Sequence, residues 1–325
     1  MIDERIKFRH LQCFLAVAQH GSLQKAAGVL SITQPAVSKT LKELEALLAV
    51  RLFERGRRGA VLTRSGDAFA RHAGASVSAL REAVASVAPT RPHGSEVVTL
   101  GVLPTVAPQL IPALLLQLDA GNGASRPAGL ADLAISLRIH TAPNPALLTQ
   151  LRQRELDLVI GRFAEPVHMV GLTFEHLYAD PLVLAVRPDH PLLRDAALSS
   201  DALAHLPAFT AILPTLGTAI RHTADSFLLT RGLGPLVRTV ETLSVTGARN
   251  YTVRSDAVWF APRGAVQQDL DSGLLAALPV SMAGTEELVG MSLRADMAPT
   301  VAQAEVIGAL RLLAAAHRGL DAAAG

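Results

Sequence analysis

Apolar positions near the start of the chain repeat with helical spacing three times in quick succession. Leu11, Phe14, Leu15 and Ala18 fall at i, i+3, i+4 and i+7, which marks one buried helical face. Gly21 stops that run, and Ser22 is placed to cap the next, where Leu23, Ala26, Ala27 and Leu30 repeat the spacing over one short helix. Its two central alanines let another helix approach closely. Ser31-Ile32-Thr33 reads as a three-residue turn. Thr33 is a good N-cap, and Pro35 falls in the first turn of a third helix, where its missing N–H does no harm. Val37, Leu41, Leu44 and Leu48 line one side of that helix. Two strand-like runs follow, Val50–Arg55 and Ala60–Thr63, joined by the turn Gly56-Arg57-Arg58-Gly59.

Steps of about 100° per residue put Pro35, Ser38, Lys39 and Lys42 opposite the apolar stripe of the third helix, with Gln34 at its N-terminal tip. A helix read by the major groove needs this division: one side locked to two other helices, the other offering an amide, a hydroxyl and cations. Ser22 and Thr33, at helix N-termini, suit phosphate contacts. Arg55, Arg57 and Arg58 put cations on the hairpin, where a wing can enter the minor groove or grip the backbone. Any one of these elements alone fits a three-helix fragment with a solvated basic loop. Their order and spacing together predict an all-α winged helix-turn-helix over residues 1–66.

Between residues 67 and 94 the pattern changes. Phe69, Ala73, Val77, Leu80, Val84 and Val87 form a near-heptad stripe on one connecting helix, too short to establish a coiled coil by itself. Pro89–Ser95 reads as a hinge. From residue 95 to 325, short β-rich runs alternate with helical ones: Val97–Val102, Gln109–Leu118, Ala134–Ile139, Ala146–Arg154, Leu156–Gly161, Leu182–Arg187, Ala219–Leu229, Asp256–Ala261 and Ala302–Ala315. That alternation predicts an α/β body with parallel strands and crossover helices. Ligands of open α/β sheets collect at the carboxyl ends of the strands. The candidate pocket is therefore Leu103, Pro104 and Thr105, then His140, Thr141 and Asn144, then Arg162, and Leu213–Thr218 with Pro214, Gly217 and Thr218; Arg221, Thr242, Ser244 and Phe260 are further candidates. Arg162 ends an apolar strand and suits bidentate carboxylate binding, the alternative being a structural ion pair. Arg221 is equally compatible with a solvated helix face.

Charge sharpens this division. Residues 1–66 hold 11 Lys/Arg against 5 Asp/Glu, including all four lysines of the chain, whereas the remainder is mildly acidic. A basic head on such a body points to a polyanion, nucleic acid or a membrane surface. Mean hydropathy is +0.32, yet no run reaches the roughly 18 apolar residues of a spanning helix. The charged N-terminus MIDERIKFRH has no apolar signal core, so the expected compartment is the cytoplasm. A single cysteine, Cys13, excludes a disulfide framework and multi-cysteine zinc sites. Neither G-x-S-x-G, H-E-x-x-H, C-x-x-C nor a phosphate loop is present, and Gly232-Leu233-Gly234 is only a fragment of a dinucleotide fingerprint. No enzymatic role, cofactor or metal is expected. A secreted solute-binding protein would leave the basic head unexplained.

The run from Phe8 to Gly66 resembles the head of the LysR-type transcriptional regulators. The matching pieces are Leu11…Phe14…Val17, Gly21-Ser22…Ala26-Ala27…Leu30, Gln34-Pro35-Ala36-Val37-Ser38-Lys39, Leu44-Glu45, and Leu52-Phe53-Glu54-Arg55…Leu62-Thr63…Gly66. Ala49 departs from the Gly the family usually has after the third helix. The resemblance implies a linker helix that pairs subunits and a two-lobed effector domain like periplasmic solute-binding proteins. The chain is expected to cross between lobes near Arg162–Val167 and Pro262–Val266, so that lobe I covers about 95–163 and 265–325 and lobe II about 164–264. It also implies homodimers or homotetramers on an interrupted palindrome of double-stranded DNA, engagement of RNA polymerase, and a small-molecule effector. Within the family, Gly101…Leu103-Pro104-Thr105-Val106, Leu156-Asp157-Leu158-Val159…Gly161-Arg162, Phe174–Tyr178 and Arg294-Ala295-Asp296 resemble regulators of protocatechuate catabolism. The implied effector is then a carboxymuconate-like di- or tricarboxylate. Related regulators of sugar-uptake genes share part of the pattern, and a monosaccharide is the alternative effector.

Overall fold

Each of the three expected head helices forms where its capping residues place it. Helix α1 (Phe8–His20) ends on Gly21, whose left-handed backbone lets its N–H reach the Val17 carbonyl. Helix α2 (Leu23–Val29) starts on Ser22, whose Oγ accepts the Lys25 N–H, and α3 (Gln34–Leu48) starts on Thr33, whose Oγ1 accepts the Ala36 N–H. Ala49 takes the left-handed conformation, φ 52°, that glycine adopts without strain. The computed structural model describes residues 5–56, 59–86, 95–121, 134–195 and 201–324. It divides into a head unit, reaching Ser95 and including Thr149–Leu156, and a body unit made of the rest.

Phe14 is the centre of the head core. It is fully buried, with its ring 5.2 Å from that of Phe53 and 5.0 Å from that of Phe69. Val17, Ala26, Val37, Leu44 and Leu52 pack around it. Strands β1 (Phe53–Gly56) and β2 (Gly59–Leu62) form an antiparallel hairpin with Gly56 opposite Gly59. The first strand is shorter than the sequence suggests, and the second has the expected length but begins and ends one residue earlier. At the front, Glu45 Oε1 takes the N–H groups of Leu52 and Phe53, which holds Leu52 as a tether to α3 and out of the ladder. At the back, the Thr63 hydroxyl accepts the Gly66 N–H and caps the next helix instead. The hairpin docks on the α1–α2 turn through Ala60 N–H to the Gly21 carbonyl, 2.9 Å. A Cβ on Gly59 would lie 2.4 Å from that carbonyl, at φ +107°, so only glycine fits.

Because Thr63 caps it, helix α4 runs Arg64–Ser86, and the expected boundary at residue 66 falls inside its first turn. Its N-terminal half is buried at Ala70, Ala73 and Val77, whereas Leu80 and Val84 are exposed. Val87 and the hinge Pro89–Gly94 lie outside the described residues.

The body holds two five-stranded sheets. Strand β3 (Ser95–Val102), α5 (Ala107–Gly121), β4 (Ala134–Thr141), α6 (Asn144–Arg152), β5 (Leu158–Arg162), the short α7 (Pro166–Met169) and β6 (Leu172–Asp180) come first. Then follow β7 (Leu182–Val186), α8 (Pro191–Arg194), α9 (Ala202–His205), β8 (Ala211–Leu213), α10 (Ala219–Thr230), β9 (Thr239–Glu241), α11 (Val245–Val253), β10 (Val258–Pro262), α12 (Arg263–Asp271) and β11 (Ala276–Ala277). Strand β12 (Glu287–Arg294) and helix α13 (Val301–Ala324) finish the chain. One sheet has the order β4-β3-β5-β12-β6 and the other β11-β7-β10-β8-β9. Pairs β3–β5, β8–β10 and β8–β9 are parallel, as strand–helix alternation requires.

The lobe boundaries differ from those expected. Strand β6 belongs to the first sheet, where it pairs antiparallel with β12 along eight residues of that strand. The chain therefore crosses at Asp180-Pro181-Leu182 and returns between Ala277 and Glu287, not near Arg162–Val167 and Pro262–Val266. Reading Arg162 as the end of a lobe overlooked that β12 can accept a partner on each edge, β5 on one and β6 on the other.

The second lobe contains a buried imidazole. His190 is fully buried, its Nδ1 accepts the Leu192 N–H that starts α8, and its Nε2 donates to the Asp256 carbonyl at 3.1 Å. Burial pulls its pKa below the usual value, against the opposing pull of Asp256. The folded state thus resists a proton that the unfolded chain accepts near pH 6.5. Stability is full above that pH and falls as the pH drops through it, by at most about 1.4 kcal/mol per pH unit for one proton. Urea titrations at pH 7.5 and 5.5 should show a smaller loss for His190→Asn than for the wild type. Equal losses would remove His190 as the cause.

Candidate functional site

Two sites emerge, one in each unit. In the head, Val37, Leu41 and Leu44 of α3 are buried, while Gln34, Pro35, Lys39 and Lys42 are exposed and Ser38 is half-buried. The division expected from the sequence is realised on one helix. Ser22 and Thr33 each spend one acceptor on a cap, with their hydroxyl hydrogens still to donate. Sequence reasoning missed Glu43, which lines the same shallow groove as Pro35, Ser38, Lys39 and Lys42. Arg9 of α1 approaches it at 3.6 Å, which offsets an anion that would otherwise repel phosphate, and His10 Nε2 lies 3.5 Å from the same carboxylate. The Arg55 backbone lies in β1, opposite Ala60. The Arg55 side chain and both Arg57 and Arg58 lie outside the described residues. Cys13 is buried on α1, and burial pushes its thiol pKa up, so it is no activated nucleophile.

The body has a cavity of about 580 Å³ between its two lobes. Of the predicted pocket residues it brings together Leu103, Pro104, Thr105, Asn144, Arg162, Gly217, Thr218 and Arg221. Their convergence follows from topology. Thr105 follows β3, Asn144 opens α6, Arg162 ends β5 and Thr218 caps α10, all at carboxyl ends of strands or the turns beyond them. Thr141 opens instead onto a shallower depression with Pro108 and Ile139. Pro214, Thr242, Ser244 and Phe260 line a very small cavity that shares Thr105 and Ile220 with the main one. His140 is exposed on β4 and lines neither.

The two arginines are not arranged as the sequence suggests. Arg162 is buried; its Nη2 donates to Asp180 Oδ2 at 2.8 Å and its Nη1 to Thr105 Oγ1 at 3.1 Å, leaving Nε buried and without an acceptor. Arg162 is thus held in a buried, one-point ion pair with Asp180, whose other oxygen is turned away from it. Arg221 donates to both oxygens of Asp225, to Glu241 at 2.7 Å and to the Pro214 carbonyl. Burial would lower its pKa, but the bonds to Glu241 and Asp225 outweigh that and raise it. It is therefore neither a solvated face nor a free cation.

Asp180 was not legible as a site residue. It sits at the lobe crossing, where its other oxygen accepts the Gly264 N–H at 2.9 Å. Beside it Arg263 N–H reaches the Pro181 carbonyl, and Leu182 N–H reaches Thr285 Oγ1. A Cβ on Gly264 would lie 2.6 Å from Gln109 Oε1, the movable end of a side chain on α5. An Asp-Pro step between two apolar strands was the only hint in the sequence. Leu216, within the predicted Leu213–Thr218 run, lines the cavity too, as do Phe163, Glu165, His168 and His222, which lacked any such signal. Among the described residues no group of three or more His, Cys, Asp or Glu is gathered to hold a metal, and no helix is long and apolar enough to cross a membrane.

Comparison with known proteins agrees with both halves. Residues 8–67 match the bacterial regulatory helix-turn-helix protein, lysR family, and residues 92–314 the LysR substrate binding domain. The HTH-type transcriptional regulator PcaQ of Agrobacterium fabrum is 39% identical over 311 residues, 96% of each chain. An uncharacterized HTH-type regulator of Escherichia coli, YdcI, is 38% identical over 91% of this chain and 92% of its own. The crystal structure of ArgP from Mycobacterium tuberculosis superposes with a TM-score of 0.59 at 15% identity, over 95% of this chain and 98% of that one, which is a likeness of fold. With a groove-facing helix in its head, a cleft in its body and both family models matched in order, this chain belongs to the LysR-type transcriptional regulators.

Proposed function

We propose that this regulator activates genes of protocatechuate breakdown through the β-ketoadipate route, in response to a small carboxylic acid of that route bound in the cleft. The observation that carries the DNA half is the two-sided α3, locked inward by Val37, Leu41 and Leu44 and open outward at Gln34, Lys39 and Lys42. The pathway rests on the protocatechuate-type sequence pieces together with the similarity to PcaQ over nearly the whole chain. Leu80 and Val84, exposed on α4, favour pairing of two such helices in a homodimer, which a homotetramer on an interrupted palindrome would repeat. The acid would favour one lobe arrangement only by its differential affinity for the two states, and the altered DNA geometry would engage RNA polymerase.

A gel retardation assay on the chain's own upstream fragment tests this, with and without pathway acids. Gln34→Ala is expected to lose about 1–3 kcal/mol of discrimination at one base pair while keeping binding to scrambled DNA. Lys42→Ala should weaken cognate and scrambled DNA alike and reduce the salt slope by about one. Identical profiles for the two variants would remove the assigned roles.

A further inference from the structure

Resting on the effector reading above, we infer that the cleft takes a ligand with one negative charge on an apolar or aromatic body, and discriminates against ring-opened polycarboxylates. Charge sets this preference. Arg162 and Arg221 are the arginines at the cavity, and each is neutralised by the protein: the first by Asp180, the second by Asp225 and Glu241. Glu165 lines the same cavity and adds a further carboxylate. Two cations against four carboxylates leave these side chains at a net of −2.

One carboxylate can still be held, by donors that carry no net charge. The first-turn N–H groups of Ala219 and Ile220 at the start of α10 have no acceptor within the helix, and they open on the cavity. Thr105, whose Oγ1 accepts from Arg162, lines the same cavity. The Arg162 guanidinium is buried and already bonded to Asp180 and Thr105, and its Nε has no partner. A second or third carboxylate would face Asp225 and Glu165, or would have to displace Asp180 from Arg162 and with it the Gly264 N–H bond that ties the lobes. The remaining walls are apolar. Leu103, Pro143 and Ile220 line the cavity, as do Phe163 and Leu216, both exposed and from opposite lobes. An apolar ligand body would cover them.

Calorimetric titration of the full chain separates the possibilities, with 3,4-dihydroxybenzoate, its uncharged amide and 3-carboxymuconate as probes. The monocarboxylate should bind at least about tenfold tighter than the tricarboxylate and the amide. Glu165→Gln, an exposed change that leaves the core untouched, should narrow the gap by improving tricarboxylate binding about two- to fivefold. Asp180→Asn should move it in the same direction. Tighter binding of the tricarboxylate by wild type, or an amide as good as the acid, would overturn this inference while leaving the pathway assignment standing. If neither acid binds, the pathway assignment and the inference fall together.

Discussion

Asp180→Ala should destabilise the body unit by about 3–5 kcal/mol, the largest loss expected from any polar substitution in it. Asp180 and Arg162 are 3% and 4% exposed, so alanine leaves a guanidinium charged, buried and held only by Thr105. The Gly264 N–H loses its acceptor in the same step. Removing both charges together is a different experiment, because packed apolar residues can replace a buried pair at little cost. Arg162→Met combined with Asp180→Leu should therefore recover most of the loss. Trp259, buried in the second sheet, is the sole tryptophan of the chain and reports on this unit. Urea unfolding followed by its fluorescence should show the ordering wild type, double variant, single variant. A single variant within about 1 kcal/mol of wild type would mean that the pair is already solvated.

The second large effect lies in the other unit. Phe14→Ala should remove about 3–5 kcal/mol from the head, through lost transfer free energy and the cavity left between Phe53 and Phe69. That approaches the whole stability of a domain this small. DNA retardation should be abolished at 37 °C, while Trp259 emission and ligand heats of the body stay at wild-type values. A variant that still retards DNA would show that the rings repack. Reciprocal behaviour of the two variants, one silent in fluorescence and the other silent in DNA binding, would confirm that the units carry separate tasks.

How much of this was readable beforehand depends on the range of the interaction. The head was legible because its determinants are local: Ser22 and Thr33 cap, Gly21 stops, and Val37, Leu41 and Leu44 repeat at helical spacing. The ends of the wing were not, since Glu45 binds the Leu52 N–H and Thr63 turns to cap the next helix, by side-chain bonds that no spacing encodes. In the cleft, strand ends placed Thr105, Asn144 and Arg162 together at one cavity. Their electrostatic state depended on Asp180, 18 residues from Arg162 in sequence and on a strand assigned to the wrong lobe. A cation's position at a strand terminus is a topological fact; whether it is free is a tertiary one.

The crossings at Pro181 and beyond Ala277 have a wider consequence. Everything between them forms one uninterrupted stretch, and its ends leave the first sheet side by side, with Leu182 N–H 3.1 Å from Thr285 Oγ1. The second lobe is thus an insertion between neighbouring strands of the first. Such a module can be exchanged between relatives as a cassette without rethreading its host, so half of the binding cleft can diverge in taste while the other half, and the reading head, keep their ancestry.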